Sequence, residues 1–274
     1  MSNDNILKAI LEADVRAYLH QESDFAFEMQ TLQVVTGEGF VCRHGGTYRD
    51  PITDKARQFD IRASLVEGKN RLLLAVESKN LRATSPLLVH TIARTSSEAL
   101  TEVILRRRDV IVQTHPQRIS EANSLYREGE QVGKTADQVS RKKNGDFGRS
   151  DGPVFEKVSQ AVSSSHELVR ETVSSAPVPS MSLIVPILVV PDGRLWVVEY
   201  GPDGAIRRGP AAEDSISMFL DQGWTVPGQF GPVTYTMSHL EIVCLAALAA
   251  KLRELRASMD GLRKGAELFN LPGM

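Results

Sequence analysis

Residues 57–81 read Arg57-Gln-Phe-Asp60-Ile-Arg-Ala-Ser-Leu-Val-Glu67-Gly68-Lys69-Asn70-Arg-Leu72-Leu-Leu-Ala-Val76-Glu77-Ser78-Lys79-Asn-Leu81, and they decide the fold. Asp60 lies in a strand-like run, and Glu67-Gly68-Lys69-Asn70 is a tight turn that reverses the chain. The run Leu72–Val76 does not alternate, so it reads as a strand covered on both faces. Side chains alternate along a strand, which sends Glu77 and Lys79 to one face. If the two runs pair as a hairpin, Asp60 approaches Glu77 from the neighbouring strand.

Charged groups at the end of a doubly covered strand are costly unless they are paired or bound to a metal. Two carboxylates and an ammonium suit one chemistry well. The carboxylates hold a hard divalent cation, and the lysine holds or activates a water.

The stretch resembles the PD-(D/E)XK nuclease superfamily, the restriction-endonuclease-like fold. The resemblance rests on Asp60 and on Glu77-x-Lys79 at the end of an apolar strand; Phe59 stands where that family has a proline. It implies an α/β fold, a restriction-endonuclease-like central mixed sheet flanked by helices. It also implies Mg²⁺ or Mn²⁺ held by Asp60, Glu77 and the Ser78 backbone carbonyl, with Lys79 orienting the attacking water. Glu28, on the helix before the core sheet, is carried over as an auxiliary carboxylate, and Gln160 as a polar residue on the helix beside the site. The implied activity is phosphodiester hydrolysis, as a DNA endonuclease. The alternatives are an ordinary ion pair between Glu77 and Lys79, and a catalytically idle nucleic-acid-binding or structural protein on the same fold.

Composition agrees with one globular domain of 274 residues, 42% apolar and 24% charged. Nothing apolar approaches the ~20 residues that span a bilayer, and no signal pattern opens the chain, so the expectation is a cytoplasmic protein with no membrane partner. Cys42 and Cys244 support neither a disulfide framework nor a zinc cluster. Net charge is −2, but residues 82–149 carry 12 Lys and Arg against 8 Asp and Glu, a basic segment on an acidic body. Arg106, Arg107, Arg108, Lys134, Arg141, Lys142 and Lys143 are its candidate phosphate contacts. Gly133-Lys134-Thr135 lacks the glycine-rich approach of a P-loop. A homodimer is left open.

Along the chain, helical spacing predicts helices over 3–20, 24–36 (capped by Ser23 or Asp24), 95–108, 153–172 and 239–262. Strands are expected at 40–48, around Asp60, at 72–79, 86–93 and 109–112, and at 181–190 and 195–200. The last two are joined by Pro191-Asp192-Gly193-Arg194 as a hairpin, and Pro186 asks for an edge or a bulge. The core is thus about 24–113 and 153–200, with an irregular basic insertion at 114–150, a turn-rich stretch at 201–231 and a C-terminal helix.

Overall fold

The computed structural model describes residues 9–21, 23–107, 113–120, 123–142, 144–150, 152–174, 181–228 and 230–268. Arg108, Lys143, residues 1–8 and the strand expected at 109–112 lie outside them. Helix α1 (Glu12–Gln21) leads to α2 (Phe25–Gly37) and then to three strands, β1 (Val41–Arg49), β2 (Ala56–Glu67) and β3 (Asn70–Ser78). These form an antiparallel meander. Gly68, at φ 58°, supplies the left-handed residue of the turn between β2 and β3.

Five strands intervene before the next helix: β4 (Leu87–Ala93), β5 (Leu100–Arg107), β6 (Gln113–Ser120), β7 (Gln131–Arg141) and β8 (Phe147–Ser150). Helix α3 (Gly152–Ser174) follows and returns the chain to β9 (Met181–Val190), which pairs parallel to β3. The remainder is β10 (Leu195–Tyr200), β11 (Ile206–Ala212), β12 (Ser215–Gly228), β13 (Gly231–Cys244) and α4 (Leu245–Leu268). Among the described residues these make a mixed α/β protein of four helices around one sheet of 13 strands. The sheet runs β1-β2-β3-β9-β13-β12-β7-β4-β10-β11, with β5 and β6 joined at β9 and β8 at β7.

The apolar run in β3 is covered on both faces, as its lack of alternation predicts. Leu72, Leu74 and Val76 pack with Phe27 and Val35 of α2 and with Leu248, Leu252 and Leu255 of α4. Leu73 and Ala75 face the other way, onto Leu168, Val169 and Val173 of α3. Each buried leucine or valine contributes about 1.5–3 kcal/mol, so this double layer fixes the register of β3 and with it the position of Glu77.

Several expectations are corrected. Of the helix expected at 95–108, the described residues 95–107 are not helical: one turn forms where the amide of Ala99 bonds the Thr95 carbonyl, and β5 follows. Thr101, Val103 and Ile104 are β-branched and buried there, which favours a strand. The insertion is not irregular, since residues 114–150 contribute β6, β7 and β8 to the sheet. The turn-rich stretch 201–231 contains β11 and β12. The C-terminal helix begins at Leu245 rather than at His239, because the chain stays in β13, buried on both sides, through Cys244. The turn at Pro191–Arg194 forms, but its flanking strands part: β9 joins β3 and β13, and β10 joins β4 and β11. Pro186 lies in a gap on one side of β9, between β5 at Met181–Ser182 and β13 from Ile187 onward. Helix α1 carries its apolar residues outward, with Val15, Tyr18 and Leu19 exposed.

Candidate active site at the ends of β2 and β3

The antiparallel register pairs Ile61 with Val76, so one step further Asp60 stands opposite Glu77. Each carboxylate is tied to the backbone of the other's strand. Asp60 donates its amide to Glu77 Oε1 at 3.3 Å, and Ser78 donates its amide to Asp60 Oδ2 at 2.8 Å. Alternation turns Glu77 toward α3, the same face as Leu73 and Ala75. Asp60 and Glu77 are 9% and 1% exposed, which is deep for acids and calls for a counter-charge.

Lys157 of α3 supplies it. Its Nζ lies 2.8 Å from each oxygen of Asp60 and 3.1 Å from Glu77 Oε2. Burial pushes the Glu77 carboxyl above its ordinary value and the charge on Asp60 pushes it further, while Lys157 pulls it back. Burial would lower the Lys157 ammonium, but Glu77 and Asp60 overcome this and raise it. Helix α3 is held over the strands independently of this contact. Arg62 of β2 donates from Nε to Ser164 Oγ at 3.0 Å and pairs with Glu167 at 2.9 Å.

Lys157 escaped the sequence reading although a signal was present. It falls between Val154 and Ala161 at helical spacing, a lysine within the buried stripe of α3. A cation at such a position asks for an acid opposite it.

Lys79 is placed differently from the alternation argument. β3 ends at Ser78, and Lys79 donates its ammonium to Asp24 Oδ2 at 2.7 Å. The Asn80 amide donates to the other oxygen of Asp24 at 2.9 Å. Asp24 therefore makes no side-chain cap for α2, and its carboxylate docks the end of β3 onto the start of that helix. Glu28 does reach the neighbourhood. Burial raises its carboxyl, and the next influences are Asp60, which raises it further, and Lys157, which lowers it. Its Oε2 lies 3.5 Å from His44 Nε2. Gln160 sits three residues beyond Lys157 on α3, and its backbone carbonyl accepts the Tyr48 hydroxyl at 3.4 Å.

The candidate phosphate contacts divide. Arg106 and Arg107 end β5, and Leu105 pairs with Met181, whereas Glu77 pairs with Leu188. Those arginines therefore lie past the opposite end of β9, about 23 Å away along the strand. Lys134 is paired to Glu98 and lies 4.9 Å from the Phe219 ring centroid, partly buried. Arg141 and Lys142 are exposed at the tip of the β7–β8 hairpin, and the Arg141 guanidinium lies 4.7 Å from the exposed Phe147 ring. That hairpin leads directly into α3 and Lys157.

The oxygens of Asp60 and Glu77 converge on one cation, and their hard, anionic character suits Mg²⁺ or Mn²⁺. The donor set fits such an ion when Lys157 yields the place. Among the described residues no group of three or more His, Cys, Asp and Glu is gathered for a metal, so the cradle consists of two carboxylates with Glu28 outside it. No helix among the described residues is long and apolar enough to cross a membrane.

Comparison with known proteins finds no matching family model, no matching curated protein and no matching solved structure.

Proposed function

We propose that this chain is a metal-dependent nuclease of the PD-(D/E)XK type, hydrolysing phosphodiester bonds in DNA on a restriction-endonuclease-like core. The observation that carries this reading is the meeting of Asp60 and Glu77. Two buried acids from adjacent antiparallel strands share one cation position beneath α3, within a chain order that runs α2, β1, β2, β3 and, after the five strands β4–β8, α3 and β9. That order, with β9 parallel to β3, supports the finer fold assignment.

In this reading Asp60 and Glu77 hold Mg²⁺ or Mn²⁺, with Glu28 as an outer carboxylate that adds negative charge. The ion supplies Lewis-acid neutralisation of the phosphodiester and eases loss of a proton from water. The Ser78 amide fixes the Asp60 carboxylate, which removes reorganisation from the reacting geometry. Lys79 orients the attacking water and stabilises charge growing on the phosphate, and for this it must exchange its bond to Asp24 for the substrate. Arg141 and Lys142 contact the backbone of the nucleic acid.

One observation favours a second reading, a catalytically idle nucleic-acid-binding protein. Both lysines are already committed, Lys157 to the carboxylates and Lys79 to Asp24. Incubation with supercoiled plasmid, linear DNA and RNA in Mg²⁺, Mn²⁺ and EDTA separates the two. Cleavage that needs the metal supports the nuclease, and retention of nucleic acid without cleavage supports the idle protein.

A further inference from the structure

We propose that the Lys157 ammonium and a divalent cation are alternative occupants of the Asp60–Glu77 carboxylate pair, so that cation uptake expels Lys157 from between them. This rests on the reading of the pair as a metal cradle and names the residue that controls its loading. Lys157 Nζ is 2.8 Å from both oxygens of Asp60 and 3.1 Å from Glu77 Oε2, so it already uses the oxygens a dication would need. Magnesium–oxygen bonds are about 2.0–2.1 Å, and an ammonium left on the same oxygens would press against the ion as a like charge. Like-charge repulsion therefore sets the two cations in competition for the pair.

The surroundings permit the exchange. Lys157 lies near the start of α3, beside the exposed Phe155 and Glu156, and its four-carbon stem can swing outward without moving the helix. The clamp between Arg62, Ser164 and Glu167 holds α3 over β2 in either state. Lys79 cannot stand in as counter-charge while Asp24 holds it at 2.7 Å. The metal-free protein thus carries its own cation, and the expelled lysine leaves a positive charge at the mouth of the site.

Mn²⁺ binding by calorimetry, without nucleic acid, tests this on the wild type and on Lys157→Met. Hydrogen bonds to charged groups contribute about 1.5–3 kcal/mol, and 1.4 kcal/mol is tenfold in affinity, so the variant should bind Mn²⁺ about tenfold or more tightly. Equal or weaker affinity overturns the proposal. Because Lys157→Met can fail to fold without metal, the wild type provides a second readout. Acetylation of the Lys157 amine by an N-hydroxysuccinimide ester, followed by peptide mass spectrometry, should rise severalfold at saturating Mn²⁺. Unchanged labelling with Mn²⁺ bound also overturns it. If the wild type takes up no Mn²⁺ at all, the metal-cradle reading itself fails, an outcome distinct from equal affinities.

Discussion

Lys157 and Asp60, 97 residues apart in the chain, are joined by two hydrogen bonds of 2.8 Å, one to each carboxylate oxygen. This contact neutralises an acid that the strand order buries, beneath a helix that Arg62 separately holds to β2 through Ser164 and Glu167. Glu77, the more buried partner, depends on the same ammonium at 3.1 Å.

Removing that ammonium leaves two buried carboxylates facing each other. Lys157→Met should destabilise the metal-free protein by about 3 kcal/mol at pH 8, within the range for a broken buried pair. A buried carboxyl whose value is raised contributes stability at low pH and loses it as pH climbs above the ordinary carboxylate range. The loss should accordingly be smaller at pH 5, where Glu77 takes up a proton. Urea unfolding at the two pH values reads the difference; an equal loss at both would count against Glu77 as the acid that Lys157 neutralises.

The hairpin that carries the site was legible because Leu72–Val76 lacks alternation and Gly68 marks the turn, so the approach of Asp60 to Glu77 followed from pairing alone. Lys157 was not legible, since its partners are far away in sequence and only its place in an apolar stripe hinted at them. Nor was the start of α4. Leu240, Val243, Leu245 and Leu248 fit helical spacing, yet a strand buried on both faces leaves apolar residues at any spacing. The segment 95–107 failed for a related reason: Thr95 and Ser96 resemble helix caps, but the β-branched residues after them pack into the sheet.

His239 is 2% exposed, stacks on Tyr126 at 3.6 Å between centroids, and has no hydrogen-bond partner at either ring nitrogen among the described residues. Burial, with Arg94 and Lys134 nearby, lowers its value to about 2. A histidine held neutral contributes stability that is fully present above its unfolded value near 6.5 and is lost as pH falls below it. Stability should decline by up to about 1.4 kcal/mol per pH unit below ~6.5 on this account. His239→Phe should flatten that slope, measured by denaturant titrations from pH 7.5 to 5; a slope unchanged in the variant assigns the acid sensitivity elsewhere.

Arg141 and Lys142 sit on an exposed hairpin tip, where charges contribute little to stability. Replacing Arg141, Lys142 and Lys143 by Ala should weaken binding to all duplex sequences alike. It should also lower the slope of log affinity against log salt by about 0.9 for each phosphate no longer neutralised. Salt-titrated anisotropy in Ca²⁺, whose looser coordination permits binding with little turnover, provides the measurement. Wild-type affinity and slope in the triple variant would remove this hairpin from the interface.

The central claim is that Asp60 and Glu77 form the metal cradle of a nuclease. The initial rate of supercoiled plasmid nicking in Mn²⁺, for the wild type and Asp60→Asn, tests it most directly. The variant keeps the shape of the side chain and removes its charge, and circular dichroism should report an intact fold. The account predicts nicking by the wild type that EDTA abolishes, and a rate for Asp60→Asn lower by at least about 100-fold, the scale of losing one preorganised group at the reacting centre. Wild-type nicking that survives EDTA, or an Asp60→Asn rate equal to the wild type's, would contradict it.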